Sequence, residues 1–426
     1  MHPLILSTFD LNGGAAKASF RLHEGLKKIN IDSTMLVQYQ ESSENQIIGA
    51  TNKLEKYINQ ARPTLDNLPL NKYQGRGYGT FSPQWFPDFT ANKIAAISPD
   101  IINLHWTCGY IRIESLPHWK KPLVWTLHDM WTFTGGCQYS NGCDRYTKSC
   151  GVCPQLNSHK ERDISRWIWK RKFKAWQNLD ITIVTPSKWL ANCVRASSLF
   201  SQAHIEVIPN GIDIQRYKPV NRNFAREHLN LPQDKQLVLI GANSLYQKRK
   251  GSEYFHKALQ FLQASGYTEK IELVIFGILP SKIKDKLQLQ LKLDLGFPSH
   301  YMGNLNDEIS LALIYAASDV FVAPYIEDNL PNTIMESLAS GTPCVAFAIG
   351  GIPEMVEHQN NGFLAQPLDA ENLASGIIWV LENHQRWQKL SQNAREKAKT
   401  EFTQQLQAQR YAQLFAEVIK KYHRLQ

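Results

Sequence analysis

Short apolar runs alternate with helix-like stretches along the chain. Residues 3–7 (Pro-Leu-Ile-Leu-Ser) run into the turn Asn12-Gly13-Gly14, after which apolar positions recur at Phe20, Leu22, Leu26 and Ile29. That order predicts a strand, a glycine turn and a helix. Further runs at 101–104, 123–127 and 181–184 are interleaved with helical stretches, the alternation of a parallel sheet. A second series begins beyond Pro209-Asn210-Gly211, with runs at 237–240, 273–276, 320–323 and 344–347. The pattern therefore predicts an α/β chain of two Rossmann-like, doubly wound domains, 1–205 and 206–403, hinged at that turn. A cleft between strand C-terminal ends is the expected ligand site. Residues 404–426 read as a last helix that packs back on the first domain, and 40–92 as an irregular excursion centred on 76–87.

Composition removes several classes. With 426 residues, 43% hydrophobic, 20% charged and only 24 Gly and 20 Pro, the chain is neither disordered nor fibrous and can bury two cores. No run approaches a membrane span, and Leu4-Ile5-Leu6 is too short for a signal peptide, so a cytoplasmic protein with reduced cysteines is expected. The net charge of +9 is uneven: residues 1–205 carry 24 Lys and Arg against 15 Asp and Glu, whereas 206–426 carry 23 of each. The first half should face something anionic.

Candidate chemistry concentrates after the 320–323 run. In Asp328-Asn329-Leu330-Pro331-Asn332-Thr333-Ile334-Met335-Glu336, two acids flank a turn and a helix start. Free amides near Asn332 and Thr333 could hold a phosphate while the carboxylates hold sugar hydroxyls. Taken alone, an N-capped helix with acids near its positive end explains the same residues.

The segment from Asp328 to Glu336, with the trailing Ser337-Leu338-Ala339-Ser340-Gly341-Thr342-Pro343, resembles the E-x7-E signature of the retaining glycosyltransferases of family 4, which have the GT-B fold. Ile208-Pro209-Asn210-Gly211-Ile212-Asp213, Lys250-Gly251, Tyr315–Phe321 and Gly350-Gly351-Ile352-Pro353-Glu354 stand in the family's order. The resemblance implies that Glu336 binds the nucleotide ribose and Asp328 the donor sugar, a position usually held by glutamate, with Glu327 a possible partner in that role. It implies a cationic pair at the donor diphosphate: Lys250 keeps its place, while Ser244 or Leu245 stands where arginine is expected, leaving Arg249, or else Lys248, as the substitute. Gly13 and Gly14 would let backbone approach the diphosphate, and Asn210, Leu330, Asn332 and Thr333 would complete the donor site. His128, in Leu127-His128-Asp129, would contact the sugar near the reaction centre, with His105 a weaker candidate. No catalytic metal or cofactor is implied. The partners implied are a UDP- or GDP-linked sugar and a saccharide acceptor, lipid-linked in the branch that makes colanic acid type exopolysaccharides, which 126–156 resembles.

That segment holds Cys137, Cys143, Cys150 and Cys153, spaced C-x5-C-x6-C-x2-C. Four thiolates so close suit a structural zinc, and reduced buried cysteines or an oxidised pair remain open. In 160–176, Arg162, Arg166, Lys170 and Lys174 recur every four residues beside Trp169, Phe173 and Trp176. An interfacial helix presents such a face to anionic lipid, here the inner face of the plasma membrane, and a helix packed by its aromatics does so equally. Nucleic-acid binding through the basic half is a rival of a different class, although no recognised motif accompanies it and no nucleic-acid partner is expected. A sugar-nucleotide epimerase or a phosphorylase is the remaining rival.

Overall fold

A computed structural model describes residues 1–76, 80–244, 247–278, 295–305 and 307–425. The chain divides into two compact units, Met1–Gly211 with Gln405–Gln426, and Ile212–Gln404.

The first unit is built on a seven-stranded parallel sheet. Its strands are β1 (Pro3–Phe9), β2 (Thr34–Tyr39), β3 (Ile47–Ile48), β4 (Ile101–Leu104), β5 (Leu123–Thr126), β6 (Ile181–Thr185) and β7 (His204–Val207), in the order β3-β2-β1-β4-β5-β6-β7. Leu4, Ile5, Leu6, Ile101, Ile102 and Leu104 are completely buried, because helices cover both faces of such a sheet and every side chain of a central strand meets a core. One face packs a cluster around Trp125, Trp131 and Trp176. The other is closed by the C-terminal helix Gln404–Leu425, whose Ala408, Tyr411, Leu414 and Phe415 pack with Ile5, Val37, Ile101 and Val124. The strand order reverses between β1 and β4, where doubly wound folds bind ligands.

The second unit repeats the plan with six parallel strands. These are β8 (Gln236–Ser244), β9 (Ile271–Ile278), β10 (Ser299–Tyr301), β11 (Val320–Ala323), β12 (Cys344–Phe347) and β13 (Gly362–Ala365), ordered β10-β9-β8-β11-β12-β13. Here the reversal falls between β8 and β11. A buried ion pair braces the unit: Asp319, just before β11, meets Arg226 Nη2 and Arg222 Nη1 at 2.7 Å each and accepts the Leu237 amide.

The sequence put the division between the units after residue 205. β7 pairs in parallel with β6 and so carries the first unit to Gly211. Within the excursion, a helix at Lys53–Asn67 is capped by Asn52, which accepts the Glu55 amide, and accommodates Pro63.

Candidate functional site

In the second unit the site grows from two strand ends that the topology makes neighbours. β8 leads to a single turn, Lys248–Lys250, closed by Gly251. Gly251 has φ +67°, and a Cβ there would stand 1.7 Å from the Pro324 carbonyl oxygen beyond β11. Only glycine lets the two segments lie this close. Ile326 N–H donates to Arg249 O at 2.8 Å, fixing the turn against the loop that carries Asp328.

Arg249 Nη1 and Lys250 Nζ then both reach Asp328 Oδ2 at 2.7 Å. Asp328 is 6% exposed, so its charge persists only because it is paired. Burial pushes its carboxyl upward, but Lys250 and Arg249 outweigh that and hold it below the usual carboxylate value. Burial pulls Lys250 down to about 8, opposed by Asp328 and assisted by Arg249. The Lys250 ammonium also sits 3.8 Å from the centre of the Tyr325 ring, a cation–π contact. Two cations thus meet one buried carboxylate beside an aromatic wall. Lys248 is exposed, so Arg249 is the second cation; Leu245 lies outside the described residues.

The helix Asn332–Ala339 starts beside this cluster in sequence. Asn332 and Thr333 occupy its half-buried first turn, Thr333 Oγ1 lies 2.8 Å from the Tyr325 hydroxyl, and Leu330 is packed into the core. Glu336 is 3% exposed and accepts from the Tyr315 hydroxyl at 3.2 Å. Glu327 is half-buried beside Asp328. Gly350, φ +56°, brings its loop against the Asp328 backbone, where a Cβ would stand 1.9 Å from the carbonyl oxygen. Tyr325 was not singled out from the sequence, and Tyr315 entered only as the first residue of a segment in the family's order; an aromatic residue beside an apolar run carries no mark there of which side chain it supports.

In the first unit, Gly13 follows β1 with φ +96°, and nothing lies within 4 Å of where its Cβ would be. It opens the helix Gly14–Lys28, leaving room at that helix start. Asp10, missed in the sequence, is buried and accepts the Leu11, Glu41 and Ser42 amides, holding the loop after β1. His128 follows β5. Its ring meets that of His105 edge to edge, centroids 5.1 Å apart and planes 25° from parallel, with Nε2 2.9 Å from His105 Nδ1. Burial takes His128 down to about 4, so the ring is neutral. Asn210 is buried beyond β7.

Two other expectations meet the structure differently. The four cysteines line one cavity of about 20 Å³, all free. Among the described residues no group of three or more His, Cys, Asp or Glu that could hold a metal ion is gathered, so the expected zinc site is not assembled there. Cys150 Sγ accepts the Gly135 amide, and burial pushes the Cys137 and Cys153 thiols up and Cys150 to about 11.

The basic helix is Ile164–Trp176. Lys170 and Lys174 are exposed, but Arg166 is bound to Glu161 and to the Cys150 carbonyl, and Trp169 is half-buried with its indole donating to Ser198. Trp167 and Phe173, 43% and 42% exposed, are the outward aromatics. Lys172 turns inward to the Trp131 and Thr134 carbonyls.

Residues 12–216 match Glycosyltransferase Family 4 and residues 234–383 match Glycosyl transferases group 1. A glycosyltransferase of Methanocaldococcus jannaschii, MJ1607, is 25% identical over 60% of this chain and 65% of its own length. The Escherichia coli UDP-Gal:alpha-D-GlcNAc-diphosphoundecaprenol alpha-1,3-galactosyltransferase is 25% identical over 42% of this chain, which spans less than half of that relative, 46%. A protein of E. coli K12 assigned to colanic acid biosynthesis, glycosyl transferase WcaC, is 24% identical over 77% of this chain and 80% of its own. Among solved structures, Anabaena Alr3699/HepE in complex with UDP superposes with a TM-score of 0.67 at 18% identity, covering 98% of this chain and 100% of the other, a likeness of fold.

Substituting Gly251→Ala should cost at least about 1 kcal/mol from the left-handed backbone alone, with more from the Pro324 contact. The unfolding midpoint of the second unit should fall; an unchanged midpoint would contradict the close approach that places Lys250.

Proposed function

The chain belongs to glycosyltransferase family 4, with the GT-B fold, and on that footing we propose that it is a retaining enzyme moving a sugar from a nucleotide-sugar to a lipid-linked saccharide of a surface polysaccharide. The observation that carries the donor side is the meeting of Arg249 and Lys250 on Asp328 at the strand reversal of the second unit. Negative charge grows on a leaving diphosphate as the glycosidic bond breaks, and preorganised cations stabilise that charge more than the ground state. Asp328 keeps both cations in place and offers its carboxylate to sugar hydroxyls. Glu336 accepts from ribose hydroxyls. The Asn332 and Thr333 amides, with Leu330 and Asn210, complete the donor site.

Gly13 and Gly14 bring backbone amides to the diphosphate, and neutral His128 contacts the sugar. In the reaction the C1–O bond to the diphosphate breaks, and the acceptor oxygen attaches to C1 from the same face. The acceptor proton passes to the departing phosphate oxygen. No protein nucleophile is required.

The acceptor's lipid linkage draws support from the printed substrate of the E. coli galactosyltransferase, a diphosphoundecaprenol-linked sugar, and from the exposed Lys170, Lys174, Trp167 and Phe173 of one helix. Such a face suits the anionic leaflet where a lipid diphosphate resides. Among the described residues no helix is long and apolar enough to cross a membrane.

A panel of UDP- and GDP-sugars assayed for hydrolysis and transfer tests the donor reading. Glu336→Gln should lower kcat/KM about 10- to 100-fold, the value of a hydrogen bond to a charged group. Absence of turnover with every donor, or a variant equal to wild type, would refute it. In vesicle sedimentation, wild type should prefer anionic over neutral lipid, and Lys170→Gln with Lys174→Gln should weaken binding by about 1 kcal/mol per residue. Equal binding to both vesicles would remove the membrane reading.

A further inference from the structure

The helix Lys53–Asn67 is turned inside out. A surface helix ordinarily buries an apolar stripe and gives its polar residues to water. Here the buried side chains are Asn59, Arg62 and Asp66. Leu54 and Tyr57 are 70% and 68% exposed, Ala61 is exposed, and Leu68, just past the helix, is 47% exposed. These outward residues stand at i, i+3, i+7 and i+14, which is one stripe along a helix.

Polar contacts on the inner side hold the inversion. Pro63 has no amide hydrogen for the Asn59 carbonyl, and that carbonyl is taken by the Tyr39 hydroxyl at 2.6 Å and Gln38 Nε2 at 3.3 Å, both at the end of β2. Asn59 Nδ2 donates in return to the Gln38 carbonyl at 3.1 Å. Asp66 accepts the Gln84 and Trp85 amides at 3.1 and 3.0 Å, and Arg62 donates to the Phe86 and Pro87 carbonyls. Rolling the helix to bury Leu54 and Tyr57 would break all of these and strand a buried charge. The outward side is also one-signed. Lys53 and Lys56 are exposed, as are Lys72 and Arg76 beyond the helix, whereas Glu55 is held by Lys93 and Asp66 is buried.

We propose that this face docks on lipid: Leu54, Tyr57, Ala61 and Leu68 enter the apolar boundary of an anionic membrane while Lys53 and Lys56 meet its headgroups. Charge decides between a membrane and a second copy of this chain. A two-fold dimer through the face would set its lysines against the same lysines of the other copy, whereas anionic headgroups neutralise them. One small apolar contact holds a protein only weakly to a bilayer, so this face adds to the one on Ile164–Trp176. Segment 83–87 braces the two helices together, held by Arg62 and Asp66 from one and, at the Pro83 and Gln84 carbonyls, by Arg171 at 2.9 Å from the other. That the membrane is the one carrying the acceptor rests on the function proposed above; the lipid contact of this helix does not.

Sedimentation of the full protein with vesicles of phosphatidylglycerol in phosphatidylcholine tests the face. Leu54→Ser with Tyr57→Ser should weaken binding about tenfold or more, since two side chains lose their burial in the acyl boundary. Lys53→Gln with Lys56→Gln should weaken it about fivefold per residue. All four side chains are exposed, so the variants keep the fold. A benzophenone amino acid at position 57, irradiated in the presence of vesicles, should attach to lipid. Attachment to a second copy of the chain, a wild type that binds no vesicle, or a Leu54→Ser, Tyr57→Ser variant that binds as wild type overturns the proposal. Loss of binding in that variant with none in Lys170→Gln, Lys174→Gln leaves this face standing and refutes the other; the reverse overturns this one. Binding through this face by a protein that turns over no nucleotide-sugar would refute the proposed function and leave the docking face standing.

Discussion

Oδ2 of Asp328 lies 2.7 Å from both Arg249 and Lys250, and the loops beyond β8 and β11 are arranged around that meeting. Three charged groups with little exposure would each cost several kcal/mol to bury alone, so Asp328 cannot leave without stranding both cations. The backbone is bent to suit. Gly251 and Gly350 each take a left-handed conformation that lets a chain segment touch a carbonyl oxygen, one at Pro324 and the other at Asp328 itself. The Lys250 ammonium is walled by the Tyr325 ring, and under the function proposed above the two cations would face an incoming diphosphate. An aspartate at this position makes chemical sense: two cations already stand against its short side chain.

The first unit solves a different problem. A string of buried neutral groups, Tyr411, Thr126, Asn103 and His105, leads by hydrogen bonds to His128. Burial keeps both rings uncharged. The helix that anchors this string comes from the end of the chain, which ties a distant segment to the strand ends of the first sheet.

Much of the fold was legible because parallel strands buried on both faces read as unbroken apolar runs: 101–104, 320–323 and 344–347 coincide with β4, β11 and β12. Edge strands were not. β7, His-Ile-Glu-Val, carries a charge and is partly exposed, and β3 is two residues long. In the site, motif order identified which positions gather, but not how. Lys248, Arg249 and Lys250 are alike in sequence, and only the pinned turn decides which two point at Asp328. The helix Ile164–Trp176 shows the same limit: periodicity gave a basic stripe, yet Arg166 is spent on Glu161 and the Cys150 carbonyl, and Lys172 lies in the core over Trp131.

The charge on Lys250 is the most direct probe of the anion seat. Burial brings that amine to about 8 in the free protein, and a bound diphosphate would keep it protonated to higher pH. A nucleoside diphosphate is fully ionised before that point is reached, so affinity should be full below pH 8 and fall as pH rises through it. Calorimetric titration of UDP and GDP across that range, on wild type and Lys250→Arg, should show the fall for the nucleotide that binds in wild type and none in the arginine variant. A flat wild-type profile, or the same fall in both proteins, would contradict a diphosphate seated on Lys250 and Arg249.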